Sequence, residues 1–300
     1  MRECSIHMNF KGEDDFFDPI RAKQYSELIK KLNIKYINTK WNEELYFKPN
    51  RPDVISVKKI RDFCKENNVT VTSFHYFGPV FQHDGLDQSF CRGLMKQSID
   101  LYRILKPQVM VVHPGNLSLG RSSEHKKAYN EALKIFTPEQ IHQIIVDNFR
   151  YFGDIAQEKG IKIALENIFG GRFYSQIDEL VKLVNDINHP NVGYCFDCGH
   201  GNIDKINHAE TIRIMGDKLF ELHLHDNDGT SDSHLPIGFG TINYIEIIQA
   251  LNEINYQNTA TFEFFRWPLE DRIEGVKNAI ELWQALENIA EQGYKNKQWK

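Results

Sequence analysis

The stretch IKIALENIFGGRFYSQIDELVKLVNDINHPNVGYCFD, residues 161–197, holds a complete structural unit. IKIALEN (161–167) and VGYCFD (192–197) are short, nearly continuous apolar runs, with a carboxylate at or next to the end of each, Glu166 and Asp197. Between them, SQIDELVKLVNDIN (175–188) places apolar residues at helical spacing, and its opening serine predicts an N-terminal cap. Two apolar strands joined by an amphipathic helix imply parallel pairing, with the sheet covered on its outer face.

The same rhythm extends both ways along the chain. Further strands are predicted in CSIHM (4–8), IKYINTK (34–40), VTVTSFH (69–75), VMVVH (109–113), LFELHLH (219–225) and TATFEF (259–264). Helices are predicted in PDVISVKKIRDFCKENN (52–68), with Val54, Val57, Ile60, Arg61 and Cys64 near one face, and from Pro138 to Lys159. Another, NYIEIIQALNEI (243–254), opens on an asparagine cap. Eight strand-helix units, about 30–40 residues apart, suit a closed (β/α)8 TIM barrel better than an open doubly wound sheet. The G-x-G-x-x-G fingerprint of a dinucleotide site is absent after the first strand. Length alone suggests about two domains. The continuous rhythm instead predicts a single α/β domain over residues 1–290, with a polar tail at 291–300.

Composition narrows the class. Of 300 residues, 41% are hydrophobic, enough for one large core, and the net charge of -5 gives no electrostatic footprint for nucleic acid. The first residues lack an apolar signal-peptide run, and no stretch of about 18 apolar residues appears. Five cysteines, Cys4, Cys64, Cys91, Cys195 and Cys198, are an odd number in a chain too large to need staples. The expectation is a cytoplasmic protein with free thiols. Cys195 and Cys198 form a C-x-x-C, but it straddles Asp197 in a strand and turn, so core packing is expected of them rather than redox chemistry.

The titratable residues lie where a barrel builds its active site, at the C-terminal strand ends: His75, His113, Glu166, Asp197, His223 and Glu263. Each alone reads as a hydrogen-bonded structural residue. Six converging on one mouth would be strongly destabilising unless a cation or polar ligand compensates them. Three carboxylates and an imidazole, Glu166, Asp197, Glu263 and His223, suit one divalent ion: Mn²⁺, Co²⁺, Mg²⁺ or Zn²⁺. Beyond Asp197 the loop brings His200, and beyond His223 it brings His225, Asp226, Asp228, Asp232 and His234. His200 and His234 are expected to contact substrate or metal, whereas Asp226 and Asp228 read as a solvated acidic loop. Gly170, Gly171 and Arg172 read as a turn rather than a phosphate cradle.

VVHPG (111–115), ALEN (164–167), FDCGH (196–200), HLHDNDGTSDSHLPIGFGTINY (223–244) and TFEF (261–264) together resemble the xylose isomerase-like barrel superfamily, from first strand to last helix. The chain looks most like the sugar phosphate isomerase/epimerase branch and is similar, more distantly, to endonuclease IV. In the sugar enzymes, the resemblance implies that Glu166, Asp197, His223 and Glu263 hold one divalent ion. It further implies that Glu166 and Glu263 exchange a proton with a small sugar through a metal-stabilised enediolate. His75, His113, His200, His234 and Trp41 would then contact substrate, with Phe77, Phe169 and Trp267 as apolar walls. In endonuclease IV the same four positions belong to a trinuclear zinc cluster, whose remaining ligands match His75, His113, His200, Asp232 and His234.

The loop text favours the sugar enzymes, and Phe239 stands where endonuclease IV carries an acidic residue. Ser233 stands where ketohexose 3-epimerases carry an arginine, which points away from their particular substrate. A metal-dependent sugar isomerase or epimerase is therefore expected, with abasic-site phosphodiesterase and a non-catalytic carbohydrate-binding barrel as alternatives. Relatives of this kind often pair through barrel helices, so a homo-oligomer is open.

Overall fold

The computed structural model describes residues 1–10, 17–40, 54–117, 122–170, 173–264 and 269–296. Eight strands pair in parallel, each with its neighbours in sequence, and β8 closes on β1. They are β1 (Cys4–Met8), β2 (Tyr36–Lys40), β3 (Thr70–Tyr76), β4 (Val109–Val112), β5 (Lys162–Glu166), β6 (Val192–Asp197), β7 (Leu219–Leu224) and β8 (Ala260–Phe262). The sequence placed all eight, with ends shifted by no more than two residues. This is a single-domain (β/α)8 TIM barrel. Among the described residues no helix is long and apolar enough to cross a membrane.

The helices in chain order are α1 (Pro19–Leu32), α2 (Val54–Asn67), α3 (Ser89–Tyr102), α4 (Ser122–Ala132), α5 (Pro138–Glu158), α6 (Ile177–Ile187), α7 (Cys198–Ile203), α8 (His208–Met215), α9 (Tyr244–Glu253) and α10 (Leu269–Asn296). Local chemistry sets their starts. Thr137 and Gln140 form a reciprocal capping box ahead of α5, and Asn243 caps α9 as the sequence predicts. The serine cap predicted for α6 does not form. The helix starts one residue later on Gln176, without a side-chain cap, and Ser175 is buried instead. α6 is held by its packed face, Leu180, Leu183, Val184 and Ile187. α10 runs through Asn296, so helix continues into the first six residues of the polar C-terminal segment.

Inside the barrel, residues two apart on a strand share a face. Ser73 of β3 donates to Glu221 of β7 at 3.0 Å. β3 and β7 are not neighbours, so this bond crosses the interior and fixes which residues point inward. His75 lies two residues beyond Ser73, and His223 two beyond Glu221, which brings both to the same face near the mouth.

The C-x-x-C stands at a strand-to-helix junction rather than a strand and turn, because α7 begins at Cys198 with Asp197 as its cap. Both thiols are nonetheless fully buried, as core packing requires. Burial pushes the Cys195 and Cys198 thiols well above their ordinary range, Cys64 up to about 12 and Cys91 to about 11. Burial, with Glu287 and Glu3 adding to it, carries Cys4 to about 12. Thiolate is therefore scarce at pH 8, and a thiol-disulfide reagent should react with all five cysteines only after denaturation. Rapid labelling of the native protein would contradict this.

Candidate metal centre

His223, at the end of β7, organises the mouth of the barrel. Its Nδ1 lies 3.4 Å from Glu166 Oε1, 3.7 Å from Glu263 Oε1 and 3.8 Å from Asp197 Oδ2. The four residues that the sequence assigned to a metal thus converge on one point, each from a different strand end or its following residue. All four are buried. Tetrahedral ligands at about 2.1 Å from a cation stand about 3.4 Å apart, and the three spacings from His223 Nδ1 come near that value. Glu263 Oε1 is buried and has no hydrogen-bond partner. An anionic oxygen so placed is costly unless a cation meets it. The donor set and this orphaned oxygen fit a metal.

The electrostatics agree. Burial alone would raise Glu166, but the imidazoles of His113 and His223 hold it well below the usual carboxylate range. Burial likewise opposes ionisation of Asp197, and His200 and His225 overcome it to hold its pKa down. Glu263 goes the other way: burial carries it up to about 7, and the Glu166 and Asp197 charges push in the same direction against His223. Burial would lower His223, yet Cys195, Glu263 and Glu166 together raise it well above an ordinary histidine.

The other predicted residues gather around this point. His75 and His113 both address the second oxygen of Glu166, at 3.3 and 2.9 Å. Phe77 stacks on His75 and Phe169 packs by His200, so both stand at the site as expected. His200 Nδ1 donates to the Asn167 carbonyl at 2.9 Å and His234 Nδ1 to the Glu263 carbonyl at 2.8 Å. A carbonyl only accepts, so those bonds fix the proton on Nδ1. Each Nε2 then faces Asp232, His234 at 3.2 Å and His200 at 3.9 Å. Trp41, Trp267, Gly171 and Arg172 lie outside the described residues. Gly170 N is already engaged by Asp204.

Asp226 corrects the sequence reading. It is fully buried, not solvated, and its carboxylate accepts from the backbone N–H groups of Asn227, Gly238 and Ile242. Asp228 is exposed and bonded to Thr230, as expected. Three residues were missed. His225 lies 3.0 Å from Asp197, stacks on His234 at 3.9 Å between centroids, and packs so tightly on Gly199 that a Cβ there would lie 1.9 Å from its ring. His7 reaches Glu263 at 3.6 Å and bonds Asn38 at 2.5 Å. Glu221 lies beneath His223. His7 ends its strand as His75 does, and Glu221 precedes a ligand by two residues. Strand periodicity could have found both.

The model of the xylose isomerase-like TIM barrel family matches residues 26–286. The chain belongs to that family. Within it, a D-psicose 3-epimerase of Enterocloster bolteae is 34% identical over 122 residues, 40% of this chain and 39% of that enzyme. A probable endonuclease 4 of Clostridium botulinum is 24% identical over 250 residues, 77% of this chain and 82% of that protein. Curated relatives at about a third identity are matched over about half their length or less. Among solved structures, that of an L-ribulose 3-epimerase superposes with a TM-score of 0.75 at 15% identity, over 98% of this chain and 97% of that one. At that identity the likeness speaks for the (β/α)8 fold alone.

Proposed function

We propose that this chain is a metal-dependent sugar isomerase or epimerase. The observation that carries the reading is the convergence of Glu166, Asp197 and Glu263 oxygens on His223 Nδ1, each within 3.8 Å. The epimerase relative and the loop text around His223 support it. Glu166, Asp197, His223 and Glu263 would hold a divalent ion, which when bound would supply Lewis acidity to a ketose carbonyl and the neighbouring C–H.

The chain's own residues do the rest. β5 and β8 stand three places apart around the barrel, so Glu166 and Glu263 reach the centre from different sides. One carboxylate removes the carbon-bound proton and the other returns it, on the opposite face for epimerisation or at the adjacent carbon for isomerisation. His200, with its Nδ1–H committed to a backbone carbonyl, turns Nε2 toward a sugar hydroxyl, while His234 Nε2 is engaged by Asp232 and holds that carboxylate at the mouth. Phe77 and Phe169 form apolar walls that limit water.

Incubating the Mn²⁺-loaded protein with a panel of ketoses in D2O tests this. Solvent deuterium should enter the substrate at a carbon next to the carbonyl, and a strong chelator should stop it. Absence of exchange across the panel, with metal bound and the fold intact, would overturn the reading.

One arrangement favours a second reading, an abasic-site phosphodiesterase with three zinc ions. His75 and His113 converge on Glu166, and Asp232 gathers His200, His225 and His234. Cleavage of abasic DNA, together with about three ions per chain, is the outcome that would replace the sugar reading with this one.

A further inference from the structure

β7 carries two inward-facing polar residues in succession, Glu221 and then His223. Glu221 is 1% exposed and lies in the barrel layer beneath the mouth, where branched aliphatic side chains are the usual filling. Elsewhere in the interior Val111, Ala164 and Cys195 pack together as that usual filling, with the Cys195 Sγ 3.4 Å from His223 Nδ1. A carboxyl group at such depth is costly unless other groups meet it.

Two hydroxyls do. Ser73 donates to Glu221 Oε1 at 3.0 Å and Thr261 donates to the same oxygen at 2.6 Å. Asn38 Nδ2 in turn donates to Ser73 Oγ at 2.6 Å, so the carboxyl group is anchored from β2, β3 and β8 together. His223 Nε2 stands 3.9 Å from that anchored oxygen and has no hydrogen-bond partner of its own. The opposite ring nitrogen, Nδ1, faces the three carboxylates of the candidate metal centre. The imidazole therefore sits between two sets of carboxyl oxygens, one at each nitrogen.

We propose that Glu221 is a positioning residue for the candidate metal centre, holding the Nε2–H side of His223 so that the Nδ1 lone pair is directed at the cation. The inference rests on the four-ligand reading above. At 3.9 Å the contact is electrostatic and longer than a hydrogen bond. It acts when Nδ1 gives its lone pair to a metal, because the ring must then carry its proton on Nε2, toward Glu221. A metal-bound histidine commonly relies on such an outer carboxylate, and losing it commonly weakens metal affinity 10–100-fold. The Ser73 and Thr261 hydroxyls keep the carboxyl group from swinging away, which makes the orientation a property of the barrel interior rather than of a mobile loop.

The test compares wild type with Glu221→Gln and Glu221→Leu, reading Mn²⁺ affinity by electron paramagnetic resonance and the thermal midpoint of the metal-free protein. Both variants should bind Mn²⁺ more weakly, by roughly 10–100-fold, with leucine the worse. The metal-free midpoint of Glu221→Gln should stay near that of wild type, because its amide oxygen can still accept from Ser73 and Thr261, whereas Glu221→Leu leaves both hydroxyls without that acceptor and should lower it. A merely structural role would lower a midpoint in this way but leave affinity alone. Glu221→Gln binding Mn²⁺ within about twofold of wild type overturns the proposal, and this variant decides the matter if the leucine protein does not fold. Wild-type protein that binds no Mn²⁺ would overturn the metal centre itself, an outcome distinct from a Glu221 variant that binds normally.

Discussion

Glu263→Gln should lower turnover by roughly 10²–10⁴-fold, the usual worth of one general acid/base, while the protein remains folded. Glutamine has nearly the same shape, and the Glu263 backbone carbonyl that receives His234 Nδ1 is untouched by the change. What is lost is the negative charge and basicity of the carboxylate whose buried Oε1 approaches His223 Nδ1 at 3.7 Å and has no hydrogen-bond partner. An amide oxygen can still approach a cation but cannot take up and return the proton as the carboxylate does. Solvent-deuterium entry into a ketose should fall together with turnover, since both need the same proton transfer. Turnover within about twofold of wild type, in a folded and metal-loaded variant, would remove Glu263 from the chemistry.

Asp226→Ala should cost about 3 kcal/mol of stability. Its carboxylate serves three backbone N–H groups, the buried one of Asn227 and the part-buried ones of Gly238 and Ile242, and a buried donor left unmet costs roughly 1–3 kcal/mol. At about 2–4 °C per kcal/mol the thermal midpoint should drop by roughly 10 °C. The loop closes on this carboxylate so tightly that a Cβ on Gly240 would lie 2.2 Å from Asp226 Oδ1. The same loop carries Asp232 and His234, so the variant should also weaken contacts at the mouth. Thermal unfolding of Asp226→Ala beside Asp226→Asn measures this, and a loss below about 2 °C for alanine would show that the loop does not depend on the carboxylate.

The fold was legible because its signal is repeated and local. Each strand is a short, nearly continuous apolar run, as burial on both faces demands, and each long amphipathic segment sits where a covering helix must. The four candidate ligands were legible for a related reason. A carboxylate or imidazole ending an apolar strand has few bland explanations, and eight strand ends share one mouth.

What escaped depends on contacts distant in sequence. Asp226 looks like any acid in a polar loop, and two of its three donors lie 12 and 16 residues away. His225 gains its meaning from Asp197 on another strand and from the absent side chain of Gly199. Glu221 needs Ser73 across the barrel before its burial makes sense. The displaced start of α6 is a different failure. Ser175 and Gln176 are adjacent polar residues before the same apolar face, and only the backbone decides which one caps.

The most direct measurement of the central claim is a Mn²⁺ titration of the metal-free protein followed by electron paramagnetic resonance, beside His223→Ala. One tightly held ion per chain in wild type, with that site lost in His223→Ala, is the predicted result. No bound ion in wild type, or undiminished binding in His223→Ala, would contradict a centre built on Glu166, Asp197, His223 and Glu263.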